Sequence, residues 1–158
     1  LRLQENPTAF FKGILNTEEK IDFSMCNPPF HSSTEEAQKG SRRKVKNLSG
    51  KKTAKVELNF AGISNELIYE GGESKFIHQM ITESLDFAKN CFWFTTLVSK
   101  QSNLKGIYKS LNELEVAQIK TIPIGTGNKS SRIIAWSFLS KEEQKEWRET
   151  RWRSAEEN

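Results

Sequence analysis

Asn27, Pro28, Pro29 and Phe30 are the residues of this chain whose types and order could do chemistry. They follow a short apolar run, Ile21-Asp22-Phe23-Ser24-Met25-Cys26. A strand that ends in Asn-Pro-Pro-aromatic suits one task, holding a planar amino group while it attacks a methyl donor. The exocyclic N6 of adenine is a poor nucleophile, because its lone pair is delocalised into the ring. Two acceptors for its two N–H hydrogens would turn that lone pair outward. The Asn27 side-chain oxygen can supply one and the Pro28 carbonyl the other. Consecutive prolines restrict φ and hold that carbonyl in place. Fixed carbonyl dipoles also stabilise the nitrogen as it becomes cationic. No strong general base is required, since a methylated ammonium loses its proton readily. Phe30 can stack on a base that has been flipped out of its own stack. The competing reading is a plain strand-ending turn, since Asn and Pro are common in turns.

Other residues carry less. His31 could touch nucleic acid or sit idle. Phe92, Trp93, Phe94, Trp136 and Phe138 lie in strand-like runs and read as core. Gly125, Gly127 and Lys129 read as the tip of a hairpin, where a phosphate contact is the weaker alternative to a simple turn. Cys26 and Cys91 read as buried reduced thiols, and nothing else points to an oxidising compartment. Neither they nor His31 and His78 fall in a metal-binding spacing, so no structural zinc is expected.

The formal net charge of +4 is unevenly spread. Between Glu36 and Glu57 lie Lys39, Arg42, Arg43, Lys44, Lys46, Lys51, Lys52 and Lys55, with no acid among them. The rest of the chain carries more acid than base. A local run of this kind, directly after the Asn-Pro-Pro-Phe element, suits a surface for polyanions. The alternative is a solvated loop that binds nothing.

These residues need elements to hold them. A chain of 158 residues suits one domain with a single core. Residues 1–4 read as the end of a strand, and 8–15 as a helical turn or connection. Residues 21–26 read as a strand that Pro28 and Pro29 terminate. Residues 31–60, rich in Ser, Gly, Lys and Arg, read as a long mobile loop over the candidate site. Phe76, Ile77, Met80, Ile81, Leu85 and Ala88 recur at helical spacing and predict a helix over 73–89, with Glu73 and Lys89 suiting its dipole. A nearly continuous apolar strand over 91–98 follows, as expected of one covered on both faces. A second helix is predicted over 103–112, then strands over 115–122 and 131–138 as an antiparallel hairpin, and a helical tail from Lys141 to Trp152. This order implies an α/β sheet with helices against its faces. No apolar run approaches the length that spans a bilayer. The first residues, Leu1 onward, lack the apolar centre of a signal peptide, and they begin without Met, as if cut from a longer chain.

Stretches along nearly the whole chain carry a resemblance. They are Asp22 to His31; Gly40 to Lys44; Asn59-Phe60-Ala61-Gly62; Glu66-Leu67 with Glu70-Gly71-Gly72-Glu73; Phe76-Ile77 with Met80-Ile81; Trp93-Phe94-Thr95 with Leu97-Val98-Ser99; and Ser131 to Trp136. The tetrad alone is shared with many methyltransferases. Its combination with Glu-Gly-Gly-Glu and the late Arg-x-x-Ala-Trp is far more specific. On these residues the chain resembles the bacterial 23S ribosomal RNA adenine-N6 methyltransferases of the RlmF type, which are related to eukaryotic U6 snRNA and messenger RNA adenine methyltransferases. The resemblance implies a Rossmann-like, S-adenosylmethionine-dependent fold of seven strands and transfer to N6 of one adenosine in large-subunit RNA. Asn27, Pro28, Pro29 and Phe30 would match the catalytic tetrad, with Asn27 also touching the cofactor. His31 and the basic residues between Lys39 and Lys55 would contact the RNA.

One departure from that family matters. Its Gly-rich loop after the first strand and the acid ending the second hold most of the cofactor, and neither is found here. The chain reads as beginning near the third strand of the family's sheet, so all of the cofactor site except Asn27 is expected upstream of Leu1. Strand 21–26 would then lie at an unprotected apolar edge, which invites self-association or pairing with a missing N-terminal half. The chain alone is expected to bind S-adenosylmethionine weakly or not at all. Two other readings stay open: a non-catalytic RNA-binding fragment, and an N-methyltransferase acting on DNA adenine or a protein glutamine.

Overall fold

A computed structural model of the chain describes residues 1–29, 31–33, 68–125 and 131–152. The chain divides into two compact units, residues 1–27 with 78–158, and residues 28–77. The first unit holds a sheet of β1 (Ile21–Phe23), β2 (Cys91–Val98), β3 (Gln118–Ile124) and β4 (Ser131–Ser137), in the order β1-β2-β4-β3. β1 and β2 are parallel, while β4 runs antiparallel to both β2 and β3. Helix α1 (Gly72–Ser84) begins in the second unit and ends in the first. Helices α2 (Leu104–Glu113) and α3 (Lys141–Trp147) are the other α-helices among the described residues. This is the expected α/β arrangement, with the last two strands as an antiparallel hairpin.

The alternation of the strands sorts the core. Phe94 opposes Trp136 and Thr96 opposes Ile134 across β2 and β4, and all four are fully buried. Phe94 and Trp136 stack with ring centroids 5.8 Å apart, and Phe11 meets Phe94 edge-on at 5.2 Å. The Trp136 indole N–H donates to Ser84 Oγ of α1 at 3.0 Å, so the helix closes over this face. The other face of the sheet carries Phe23, Trp93 and Ile122, and Phe23 and Ile122 are exposed. α2 buries Ile107 and Leu111; Ser110 Oγ lies 2.6 Å from His78 Nδ1 on α1, and Tyr108 Oη lies 2.6 Å from Thr121 Oγ1 on β3. Phe92 and Trp136 are core as expected, whereas Trp93 and Phe138 are half-buried, and Lys120 Nζ sits 4.6 Å above the Trp93 ring.

Several boundaries differ from expectation. Residues 1–4 form no strand, and Leu1 and Leu3 are exposed. Gln4 Oε1 accepts from the Asn6 amide and Asn6 Oδ1 from the Thr8 amide, and such local bonds compete with a ladder. α1 stops at Ser84 rather than running to Lys89. Ser84 Oγ donates back to the Ile81 carbonyl at 2.6 Å, and the chain tightens into a 3₁₀ turn over Leu85–Phe87. Lys89 therefore serves no helix dipole; its ammonium pairs with Glu143. Glu115 adopts a left-handed φ of 52° after α2, which delays β3 to Gln118. β3 then runs through Pro123 to Ile124, in place of the expected loop. Its position at the sheet edge tolerates the missing N–H. The tail is helical as expected. Ser140 and Glu143 form a capping box for α3, and a π-helical turn spans Arg148–Trp152.

Candidate acceptor site

Pairing between β1 and β2 continues past Phe23. The Ser24 amide donates to the Trp93 carbonyl at 3.0 Å, the Cys26 amide to the Thr95 carbonyl at 3.2 Å, and the Leu97 amide to the Cys26 carbonyl at 2.9 Å. Thr95 Oγ1 donates to the Ser24 carbonyl at 2.6 Å. Cys26 is thus the last rung, and Asn27 leaves the carboxyl end of β1 exposed to solvent. In open α/β sheets that end of the strands is where ligands bind. Pro28 is buried and Pro29 half-buried. Phe30 lies outside the described residues, as do Lys39, Arg42, Arg43, Lys44, Lys46, Lys51, Lys52 and Lys55. Gly127 and Lys129 do too.

His31 is half-buried, and its backbone pairs with Ile68 in a parallel bridge. Burial pushes the Cys26 thiol up and the Cys91 thiol up to about 12. Cys91 is buried, as expected, while Cys26 is only half-buried. No group of three or more His, Cys, Asp or Glu that could hold a metal occurs among the described residues. Nor is any described helix long and apolar enough to cross a membrane.

Sequence reasoning missed three supports of β1. Asp22 accepts the indole N–H groups of Trp147 at 2.8 Å and Trp152 at 2.9 Å, with the Arg151 guanidinium at 3.6 Å. These partners, Trp147 first, hold its carboxyl below the usual carboxylate range. The Asn90 side chain donates to the carbonyls of Thr17 at 2.7 Å and Glu19 at 2.8 Å, fixing the entry to the strand. Glu83 of α1 accepts the amides of Phe10, Phe11 and Lys12, Phe11 at 2.7 Å, fixing the connection before it. None belongs to a short motif; the partners lie more than 70 residues away, or in Asp22's case in the tail.

Beside β1 lies a cavity of about 370 Å³, lined by Phe10, Phe11, Leu15, Met25 and Met80 among others. None of its lining residues is a carboxylate that could take a ribose hydroxyl. A second cavity, of about 330 Å³, lies against α3, where Lys89 is already paired with Glu143. Leu1 stands fully in solvent and lines neither cavity.

A family model described as RNA methyltransferase matches residues 1–140. The chain belongs to this family. Among curated proteins it is 52% identical over 153 residues to the ribosomal RNA large subunit methyltransferase F of Cytophaga hutchinsonii, covering 97% of this chain and 48% of that protein. The protein of the same name from Photobacterium profundum is 47% identical, over 96% of this chain and 49% of its own length. The chain therefore spans about half the length of the curated relatives it matches. Among solved structures, the hMettl16 catalytic domain in complex with MAT2A 3'UTR hairpin 1 matches with a TM-score of 0.60 at 25% identity, over 80% of this chain and 42% of that one. The resemblance to RlmF-type enzymes and the methyltransferase fold are both borne out.

Proposed function

We propose that this chain carries the acceptor-amine side of an S-adenosylmethionine-dependent methyltransferase acting on N6 of an adenosine in large-subunit ribosomal RNA. The observation that carries the reading is Asn27, exposed directly after the last rung of the β1–β2 pairing, in a chain of the RNA methyltransferase family. When bound, S-adenosylmethionine supplies an electrophilic methyl group. Asn27 fits a contact with it, being exposed at the ligand-binding end of the strand, and it is the one residue of this chain assigned to that role. The Asn27 side-chain oxygen and the Pro28 carbonyl accept the two N6 hydrogens and orient the lone pair. Pro28 and Pro29 stiffen the chain that bears that carbonyl. Phe30 stacks on the adenine. The name shared by the curated relatives supports ribosomal RNA as the substrate, and cytoplasm as the place of action.

His31 and the basic residues from Lys39 to Lys55 form the RNA contact. The apolar edge at β1, with Phe23 61% and Met25 78% exposed, supports pairing with a further half of the same methyltransferase domain. That half would supply most of the cofactor site.

The test is methyl transfer from S-adenosylmethionine to a large-subunit RNA transcript by the full-length protein. Asn27→Ala should lower turnover by about 10²-fold or more while RNA affinity stays within about twofold, as expected when an interaction made in the transition state is removed. Undiminished turnover would remove Asn27 from the chemistry. Replacing Arg42, Arg43 and Lys44 together by Ala should flatten the salt dependence of RNA binding, by about one log unit per log unit of salt for each lost phosphate contact. An unchanged slope would take this segment out of the interface.

A further inference from the structure

The Glu70-Gly71-Gly72-Glu73 stretch has no part in the chemistry above, yet its geometry bears on the tetrad. Within the unit of residues 28–77, the Tyr69 amide donates to the His31 carbonyl at 3.0 Å, next to the His31–Ile68 bridge. The Gly72 amide then donates to the Tyr69 carbonyl at 2.7 Å, closing a turn that leads into α1. Both glycines in that turn are left-handed, Gly71 at φ 86° and Gly72 at φ 65°. A Cβ on Gly72 would sit 3.5 Å from Ser32 Cβ and from Ser32 N, so the two backbones lie side by side. The rings of Tyr69 and Phe76 meet edge-on at 5.1 Å across the turn, and Gly72 and Glu73 are buried.

Consecutive left-handed residues are disfavoured for every residue type except glycine, so the Gly71–Gly72 pair is what lets the backbone take this path. That path runs along residues 31 and 32. Within that unit only Pro28, Pro29 and Phe30 precede His31, and two of those three residues are proline.

We propose that the Gly71–Gly72 turn is a positioning device for the acceptor site: by clasping His31 and Ser32 it restrains the trailing end of the Asn-Pro-Pro-Phe segment, so that the Pro28 carbonyl is held for the base. Gly71 and Gly72 are positioning residues and touch no reactant. The proposal rests on the methyl-transfer reading above, but its physical part can be tested apart from it.

The experiment compares Gly72→Ala and Gly72→Val with the wild-type full-length protein, using S-adenosylmethionine and a large-subunit RNA transcript. Gly72→Ala has room for its Cβ, so its effect reports the left-handed backbone. Its kcat should fall by about tenfold. That of Gly72→Val should fall by about a hundredfold, with KM for the RNA within about twofold of wild type in both. Hydrogen exchange at the Tyr69 amide should speed up in both variants, while exchange at Leu97 stays at the wild-type rate. Wild-type kcat in both variants would overturn the proposal. So would equal acceleration at Leu97, which marks general loosening. If the wild-type protein fails to methylate the transcript, the functional reading falls and exchange at Tyr69 alone decides: an unchanged rate in Gly72→Ala overturns the clasp. Should Gly72→Val not fold, Gly72→Ala carries both readouts.

Discussion

At the scale of single residues, Asn27 is positioned by pairing it does not itself make. The ladder ends at Cys26, and the side chain that follows is presented to solvent. Asp22, one residue into β1, ties that strand to the tail through two indole N–H groups and Arg151. Because these partners make the folded carboxyl the stronger acid, its stabilisation is fully present above the unfolded value of about 4. It is lost as pH falls through the lower folded value. Asp22→Asn should remove this acid-side loss. The gap in urea midpoint between about pH 7 and about pH 3 should be smaller in the variant than in the wild type. An identical gap would show that the carboxylate is not a stabilising acceptor. The tetrad could be singled out in the sequence because the chemistry proposed for it is written in adjacent letters. The Asp22 cluster was not, because Trp147 and Trp152 reach it only after the chain has folded back across more than 120 positions.

At the scale of elements, legibility followed how much of each boundary is set by apolar pattern. Strand 91–98 was read to the residue, since a nearly continuous run of apolar and β-branched residues has one plausible role, although its burial alternates and Trp93 is only half-buried. The end of α1 was not, because Ser84 rather than a break in periodicity decides it. Its hydroxyl serves the Ile81 carbonyl and the Trp136 indole at once. Ser84→Ala would leave the fully buried Trp136 N–H without that acceptor and should cost about 1–3 kcal/mol in denaturant unfolding. A cost under about 0.5 kcal/mol would mean the indole finds another partner. Pro123 misled in the other direction: proline reads as a loop residue, and only the sheet order shows that β3 is an edge where it can stay.

At the scale of the whole molecule, charge and apolar surface are distributed unevenly. The basic run between Glu36 and Glu57 gives the chain its positive excess, while the sheet's β1 side leaves Phe23 and Met25 in water. Exposed apolar residues on an edge strand favour strand addition. The 158 residues alone should therefore sediment as a larger species at high concentration, and calorimetric titration with S-adenosylmethionine should give no low-micromolar binding. A clean monomer, or tight cofactor binding, would contradict this account of the β1 side. The opposite margin of the sheet behaves differently. There Ile122 and Ile124 are exposed, but Pro123 removes one donor near the end of β3 and weakens it as a template. Among the described residues β1 is the border without a proline, and two copies meeting there would cover each other's better docking line. Association through this sheet should stop at pairs and not proceed to fibrils.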